Sequence, residues 1–426
     1  MLQSLGPLAM ATAIALSLVF GAPSALGRLQ QLVGLGGPPG VAERWPVPRP
    51  GPGAFGHGVR AAVPAAALLL GLGPGAAVQA VPSPRVVVSV HGLGPEEPVT
   101  IATAPGGGLY VADWGRQQIL ERFAAGSFRV IAGTGRAGYS GDGGPAVDAE
   151  VEYPTAMVVS PTGALYFVQE VGAATPALRW VVREVAPDGK ITTVVGARPD
   201  CRAHHSASGF PAEDAAFYGG TLAIGPGGRL YISTVVCPNR LNLGPLLELT
   251  PAGELVGTRW DPVLTKQVNC YGAGVAFAGD GSLYVACDSG GGHLKEVFVV
   301  HPNGRTTAYQ DVYPYDDYSG LATTPGGTVV GMDYRKLVRF TARGMQTVVN
   351  LGKPGHLAPG KTMEPNGITV GPGGNIHAAS SVGLGNGNFT GIVEIHPSGQ
   401  VQVLWQRRAG SVPARRFDAQ NSPYAS

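Results

Sequence analysis

The chain is poor in charge: of 426 residues, 14% are Asp, Glu, Lys or Arg. Its 30 basic and 28 acidic residues are scattered, so no basic footprint marks a nucleic-acid partner, and phosphate binding has no support. Only four cysteines are present and no C-x-x-C pair exists, which argues against a cysteine metal site. No Ser/His/Asp signature or nucleophile elbow stands out. The two apolar segments, Leu8 to Phe20 and Ala61 to Gly73, are both short for a membrane span. Strong helix patterns are missing as well. What the chain does have is 66 glycines and 37 prolines, a content that can signal disorder. Here 44% of residues are hydrophobic and fall in periodic runs between the turns, which predicts an ordered all-β domain instead.

The runs are clearest from Tyr153 to Val195. Four segments rich in Val, Ile, Thr and aromatics are separated by Ser160-Pro161-Thr162-Gly163, a loop, and Pro187-Asp188-Gly189, the pattern of an antiparallel meander. Its first hairpin occurs six times, with an aliphatic anchor at Leu109, Leu165, Leu230, Leu283, Val329 and Ile376. A second phased turn recurs at Pro187, Pro251, Pro302 and Pro397. Spacings of roughly 46 to 65 residues fit four-stranded propeller blades, the longer ones carrying loop insertions. The expected fold is an all-β, six-bladed β-propeller of antiparallel blades over 81–410, with a disordered tail at 411–426. Two segments compete to close the ring: Arg85 to Val90 before the first blade and Val401 to Trp405 after the last.

Residues 1–80 lack the repeat and read as a signal peptide or anchor plus a Pro/Gly-rich linker. Arg60, the following apolar stretch and Val78-Gln79-Ala80 suit a secretion signal cleaved near Ala80. An uncleaved anchor at Leu8 to Phe20 is the alternative, and translation from Val59 would remove the upstream residues altogether. Export predicts disulfides among Cys201, Cys237, Cys270 and Cys287, with three pairings open; Cys201 with Cys237 and Cys270 with Cys287 each bracket a local hairpin.

Several motifs resemble sites. Gly133-Thr134-Gly135-Arg136-Ala137-Gly138 spells G-x-G-x-x-G, but a Gly/Pro loop follows where a dinucleotide site needs a helix N-terminus. Asp142 stands alone as a carboxylate in Ser140 to Gly144, which favours a turn over a Ca²⁺ loop. His204-His205 reads as a surface loop, Asp113 and Asp333 as turn-stabilising strand ends, and Asn388 as a formal glycosylation site. Twelve residues before the six anchors stand Glu97, Tyr153, Tyr218, Tyr271, Asp317 and Glu364. In a closed ring equal offsets share a radius and height, so these six should surround one mouth of the channel, either as a polar-ligand or cation site or as a solvated rim.

The A-G-T-G stretch, S-G-D-G-G-P-A, the P-x-G-x-L-Y hairpins and I-T-T-V-V-G resemble the bacterial NHL-repeat propellers over about residues 85 to 406. A second copy of the loop, Pro211 to Ala215, echoes Pro145 to Ala149. That resemblance implies a rigid extracellular binding or scaffold surface, sensor-like and monomeric, whose partner is a protein, a glycan or a small molecule. It requires no cofactor. Glu97-Pro98 and Glu364-Pro365-Asn366-Gly367 more loosely resemble the senescence-marker/gluconolactonase-type propellers, which implies an alternative: lactone hydrolysis on one divalent metal ion such as Ca²⁺, held by Glu97, Glu364 and Asn366.

Overall fold

The computed structural model describes residues 94–123, 126–172, 179–199, 209–237, 246–267, 274–288, 295–309, 320–333, 335–353, 355–357, 360–381 and 389–407. Of residues 218, 235–237, 265–267, 287–288 and 295 it describes the backbone only. The possible signal region, Arg85 to Val90, Cys201, His204, His205, Cys270, Tyr271, Asp317, Asn388 and the tail lie outside the described residues.

Six antiparallel sheets follow one another along the chain. Blade 1 is β1 (Pro98–Thr103), β2 (Leu109–Asp113), β3 (Gln118–Arg122) and β4 (Phe128–Ala132). Blade 2 is β5 (Pro154–Val159), β6 (Leu165–Val171), β7 (Arg179–Val185) and β8 (Ile191–Val195). Blade 3 adds an outer strand, β9 (Phe210–Pro211), to β10 (Ala216–Ile224), β11 (Leu230–Cys237), β12 (Leu246–Leu249) and β13 (Glu254–Gly257). Blade 4 comprises β14 (Val275–Phe277), β15 (Leu283–Asp288), β16 (Lys295–Val300) and β17 (Thr306–Tyr309). Blade 5 comprises β18 (Leu321–Thr323), β19 (Val329–Asp333), β20 (Lys336–Thr341) and β21 (Gly344–Asn350). Blade 6 comprises β22 (Gly367–Val370), β23 (Ile376–Ser380), β24 (Gly391–Ile395) and β25 (Val401–Gln406). All six sequence anchors are the first residue of a second strand.

The strands read as almost unbroken apolar runs because both faces of each blade are covered. Successive side chains of a strand point to opposite faces. Ile101, Val111 and Leu120 therefore pack with Ala379 and Ile392 of blade 6, while their neighbours Ala102, Ala112 and Ile119 pack with Met157, Leu165 and Phe167 of blade 2. Six such cores, one at each junction between consecutive blades, replace a single central core.

The inner strands touch in sequence, and β22 returns to β1. Among the described residues, packing joins the two ends of the ring. The Thr103 amide donates to Thr369 Oγ1 at 3.1 Å, and the Trp405 ring meets Phe128 edge-on with centroids 6.5 Å apart. Among the described residues, the outer strand of blade 6 is β25, the C-terminal of the two candidates.

The loops that stretch the early repeats run along outer edges. Pro145 bridges to Lys190 beside β8, and Ala146–Asp148 forms a single 3₁₀ turn. In the second copy of the loop, Pro211 extends blade 3 through β9 and Ala212–Asp214 forms the same turn. Equivalent bonds hold the copies: the Ala146 amide donates to the Gly189 carbonyl, and the Ala212 amide to that of Gly253. Arg183 in β7, fully buried, ties the first loop down by donating to the carbonyls of Ser140 and Glu150 and to Asp142. With its other oxygen taking the Thr193 amide, Asp142 is a structural carboxylate.

Candidate functional site

In each blade the first strand starts, and the second ends, at one face of the ring, so that face gathers residues far apart in sequence. In blades 1, 5 and 6 the loop between second and third strands reaches the start of the next blade. In blade 1, Gln117 Oε1 accepts the Tyr153 amide at 2.7 Å, and Trp114 Nε1 donates to the Pro154 carbonyl at 2.9 Å. In blade 5, Arg335 Nε donates to Glu364 Oε1 at 2.7 Å. In blade 6, Ser381 Oγ donates to Glu97 Oε1 at 3.4 Å. Glu97, Tyr153 and Glu364, equally offset from their anchors, thus occupy equivalent contacts.

The contacts differ in quality. Glu364 is 1% exposed and carries an arginine ion pair. Glu97 is 7% exposed, and its carboxyl has one hydrogen-bond donor among the described residues, a serine hydroxyl at the long end of the range. Burial pushes the Glu97 carboxyl above the usual glutamate range, the Ser381 bond pulls it back, and Asp113 pushes it up again. Asp113, completely buried, is better served: the Glu96 and Glu97 amides both donate to it at 2.8 Å, and Arg116 lies 3.4 Å away. Even so, burial raises its carboxyl too, against the pull of those two amides.

Asn366 joins the same corner. Its Oδ1 accepts the Ser381 amide at 2.8 Å, which fixes the residue whose hydroxyl reaches Glu97. Two of the three expected metal ligands, Glu97 and Asn366, therefore meet on Ser381, but the third does not join them. Glu364 is held instead by Arg335. A guanidinium on one carboxylate and an amide N–H on the Asn366 oxygen leave a donor set that does not fit a divalent ion held by all three. Among the described residues no group of three His, Cys, Asp or Glu could hold a metal.

On the blade 1 to blade 2 side, Gln117 (φ 53°) and Tyr153 (φ 41°) both hold left-handed backbone without being glycine, and they bond to each other. Such strain concentrates where surrounding structure fixes a functional surface. Tyr153 also meets Trp114 edge-on, centroids 5.4 Å apart. Nearby, Glu152 accepts the Gly172 amide at 2.8 Å, and Glu170 has its carboxyl pushed up to about 7 by burial and by the Glu152 charge. Tyr218 lies within β10 rather than before it, because that strand starts earlier and shifts register between Tyr218 and Thr221. Sequence reasoning missed Ser381, Arg335 and Gln117. They follow the anchors by five to eight residues, in turns with no motif of their own.

The remaining candidates are local. Asp333 pairs with Lys336 at 3.1 Å. Cys237 and Cys287 end or nearly end β11 and β15. No helix among the described residues is long and apolar enough to cross a membrane.

No family model matches the sequence, and no curated protein matches it. Solved structures do match as folds. A streptogramin B lyase is 14% identical at a TM-score of 0.42, covering 74% of this chain and 85% of its own. The PQQ-bound aldose sugar dehydrogenase of Streptomyces coelicolor is 17% identical at 0.43, covering 74% and 97%. A putative gluconolactonase is 19% identical at 0.36, covering 59% and 78%. Likenesses this distant carry no argument about the chemistry of this chain.

Proposed function

We propose that this propeller is an exported binding module that takes a polar ligand at the mouth where blades 6 and 1 meet, with Glu97 as the recognising group. One observation carries the reading. A buried carboxyl with a single long hydrogen bond is costly unless something else satisfies it, and at the equivalent position of the preceding junction the protein supplies a full ion pair. The strained Gln117 and Tyr153 backbone on the other side of blade 1 fits a surface shaped for contact. The NHL-like motifs of the sequence agree with a binding or scaffold role. Export rests on the Val78-Gln79-Ala80 pattern, and a mature chain beginning near Val81 in the culture medium is its check.

The test is a thermal-shift panel of sugars, lactones, amines and divalent ions on wild type and Glu97→Gln. A ligand of this mouth stabilises wild type by roughly 3 kcal/mol at a hundredfold excess over Kd and leaves the variant unmoved. If every compound acts equally on both proteins, Glu97 is an ordinary rim residue.

Lactone hydrolysis is the second reading, favoured by the meeting of Glu97 and Asn366 on Ser381. Against it stands the arginine on Glu364. Metal-dependent turnover of a lactone, lost in Glu97→Gln, would make the protein a hydrolase.

A further inference from the structure

The ring supplies its own comparison for Glu97. Glu364 stands at the same offset from its anchor, at nearly the same burial, and its partner from the preceding blade is the guanidinium of Arg335. At Glu97 the preceding blade offers Ser381, a far shorter side chain without charge. The surroundings do not make good the difference. Three carboxyls, Glu96, Glu97 and Asp113, face two guanidiniums: Arg116, which lies 3.4 Å from both Glu96 and Asp113, and Arg407, whose field ranks below those of burial and Asp113 at Glu97. Among the described residues the corner holds one guanidinium fewer than carboxyls, and Glu97 is the buried carboxyl without an ion pair.

We propose that the ligand of the mouth is a small organic cation, a protonated amine or guanidinium, that docks on Glu97 as Arg335 docks on Glu364. This rests on the reading of the mouth as a binding site and narrows it to a ligand class. A charge-assisted N–H···O bond is shorter and roughly twice as strong as the neutral hydroxyl bond it supplements. An alcohol of the same shape satisfies geometry without charge and binds more weakly.

The experiment is a ligand-observed NMR titration of the full chain with n-butylammonium and methylguanidinium, against n-butanol, at pH 7.5 and low salt. We expect the cations to bind at least about tenfold tighter than the alcohol, and Glu97→Gln to remove that preference, in line with one charge-assisted bond. Ser381→Arg, which recreates the Arg335 arrangement within the chain, abolishes cation binding and raises the melting temperature. Should that variant not fold, Glu97→Gln decides alone. Equal binding of cations and alcohol, or cation binding unchanged in Glu97→Gln, overturns the inference. Neutral polyols that bind wild type but not Glu97→Gln would leave the mouth standing and sink only the cation. A parallel titration in which Ca²⁺ binds wild type but not Glu97→Gln, while neither amine binds, sinks it in favour of a metal, and no binding at Glu97 by anything sinks both.

Discussion

Two glutamates at equivalent places in the ring, Glu364 and Glu97, are buried alike and served differently. Glu364 closes the junction of blades 5 and 6 as half of an ion pair; Glu97 closes the junction of blades 6 and 1 with a hydroxyl 3.4 Å away. Repetition makes the backbone positions equal and leaves each side-chain partner to be chosen separately. A position where the repeat supplies the acid and only a hydroxyl to meet it is where a ligand would be expected, because at Glu364 the protein completes the pair itself.

The largest effect should come from breaking the completed pair. Arg335→Ala leaves the Glu364 carboxylate buried without its arginine, and losing one partner of a buried pair costs about 3 kcal/mol or more. Urea denaturation measures it. Arg335→Ala combined with Glu364→Gln should recover most of the loss, since the buried charge that lost its arginine is gone. A double variant no better than the single would mean that the pair is incidental.

The same substitution at the two positions should then act with opposite sign. Glu364→Gln strips Arg335 of its carboxylate and destabilises, by roughly 2 kcal/mol. Glu97→Gln removes a buried charge that has no cation on it and stabilises the unliganded protein, by roughly 1 kcal/mol at pH 8. If both variants lose stability alike, Glu97 already has a partner as good as Arg335.

The pH dependence sharpens the contrast. Glu97 has a raised folded-state pKa, so between the ordinary glutamate value and that raised value the native state binds more protons than the unfolded chain. Stability therefore falls as pH rises through this window. Glu170, pushed up to about 7, contributes the same sign up to neutrality. His377, lowered first by burial, contributes the opposite sign below its ordinary value. Melting curves from pH 5 to 8 should consequently show a downward slope that flattens in Glu97→Gln and flattens further with Glu170→Gln. A slope unchanged by both variants would show that neither carboxyl is held in its neutral form.

The blades were legible because their signals are local: a Pro/Gly turn, an aliphatic anchor and a short apolar run sit within a few residues of one another, so Leu109, Leu165, Leu230, Leu283, Val329 and Ile376 all mark second strands. The positions before the first strands were legible only as positions. Equal offset put Glu97, Tyr153 and Glu364 in equivalent contacts, yet the insertion that lengthens β10 drew Tyr218 into a strand. The partners were not legible at all. Ser381 and Glu97 are 284 residues apart and meet only because the ring closes. Nothing about a serine beside a glycine-rich loop announces that it faces a buried acid from the other end of the domain. The G-x-G-x-x-G loop teaches the converse: its last carbonyl, that of Gly138, accepts from Gln169, and the segment that follows is strapped down by Arg183, a buried arginine inside an apolar strand pattern that donates to the Ser140 carbonyl.

The smallest expected effect tests the seam itself. Nine residues before each anchor, in the inner strand or just ahead of it, stand Thr100, Ala156, Thr221, Gly274, Gly320 and Gly367, all small. At the closing junction Gly367 backs onto Thr100: a Cβ there would stand 3.0 Å from Thr100 Oγ1 and 3.2 Å from its Cα. Blades 4 and 5 instead set Gly274 against Gly320, where the nearest atom to an added Cβ is 3.5 Å away, an ordinary contact. Gly367→Ala must therefore push β22 and β1 apart by a few tenths of an ångström, while Gly274→Ala fits and gains from reduced freedom of the unfolded chain. We expect about 1 kcal/mol of destabilisation at Gly367 and none at Gly274, read from paired urea midpoints with unchanged slopes. Widening this seam also separates Ser381 from Glu97, so Gly367→Ala should weaken binding of any mouth ligand that Gly274→Ala leaves untouched. Equal effects of the two alanines on both stability and binding would show that the closing junction is no different from the others.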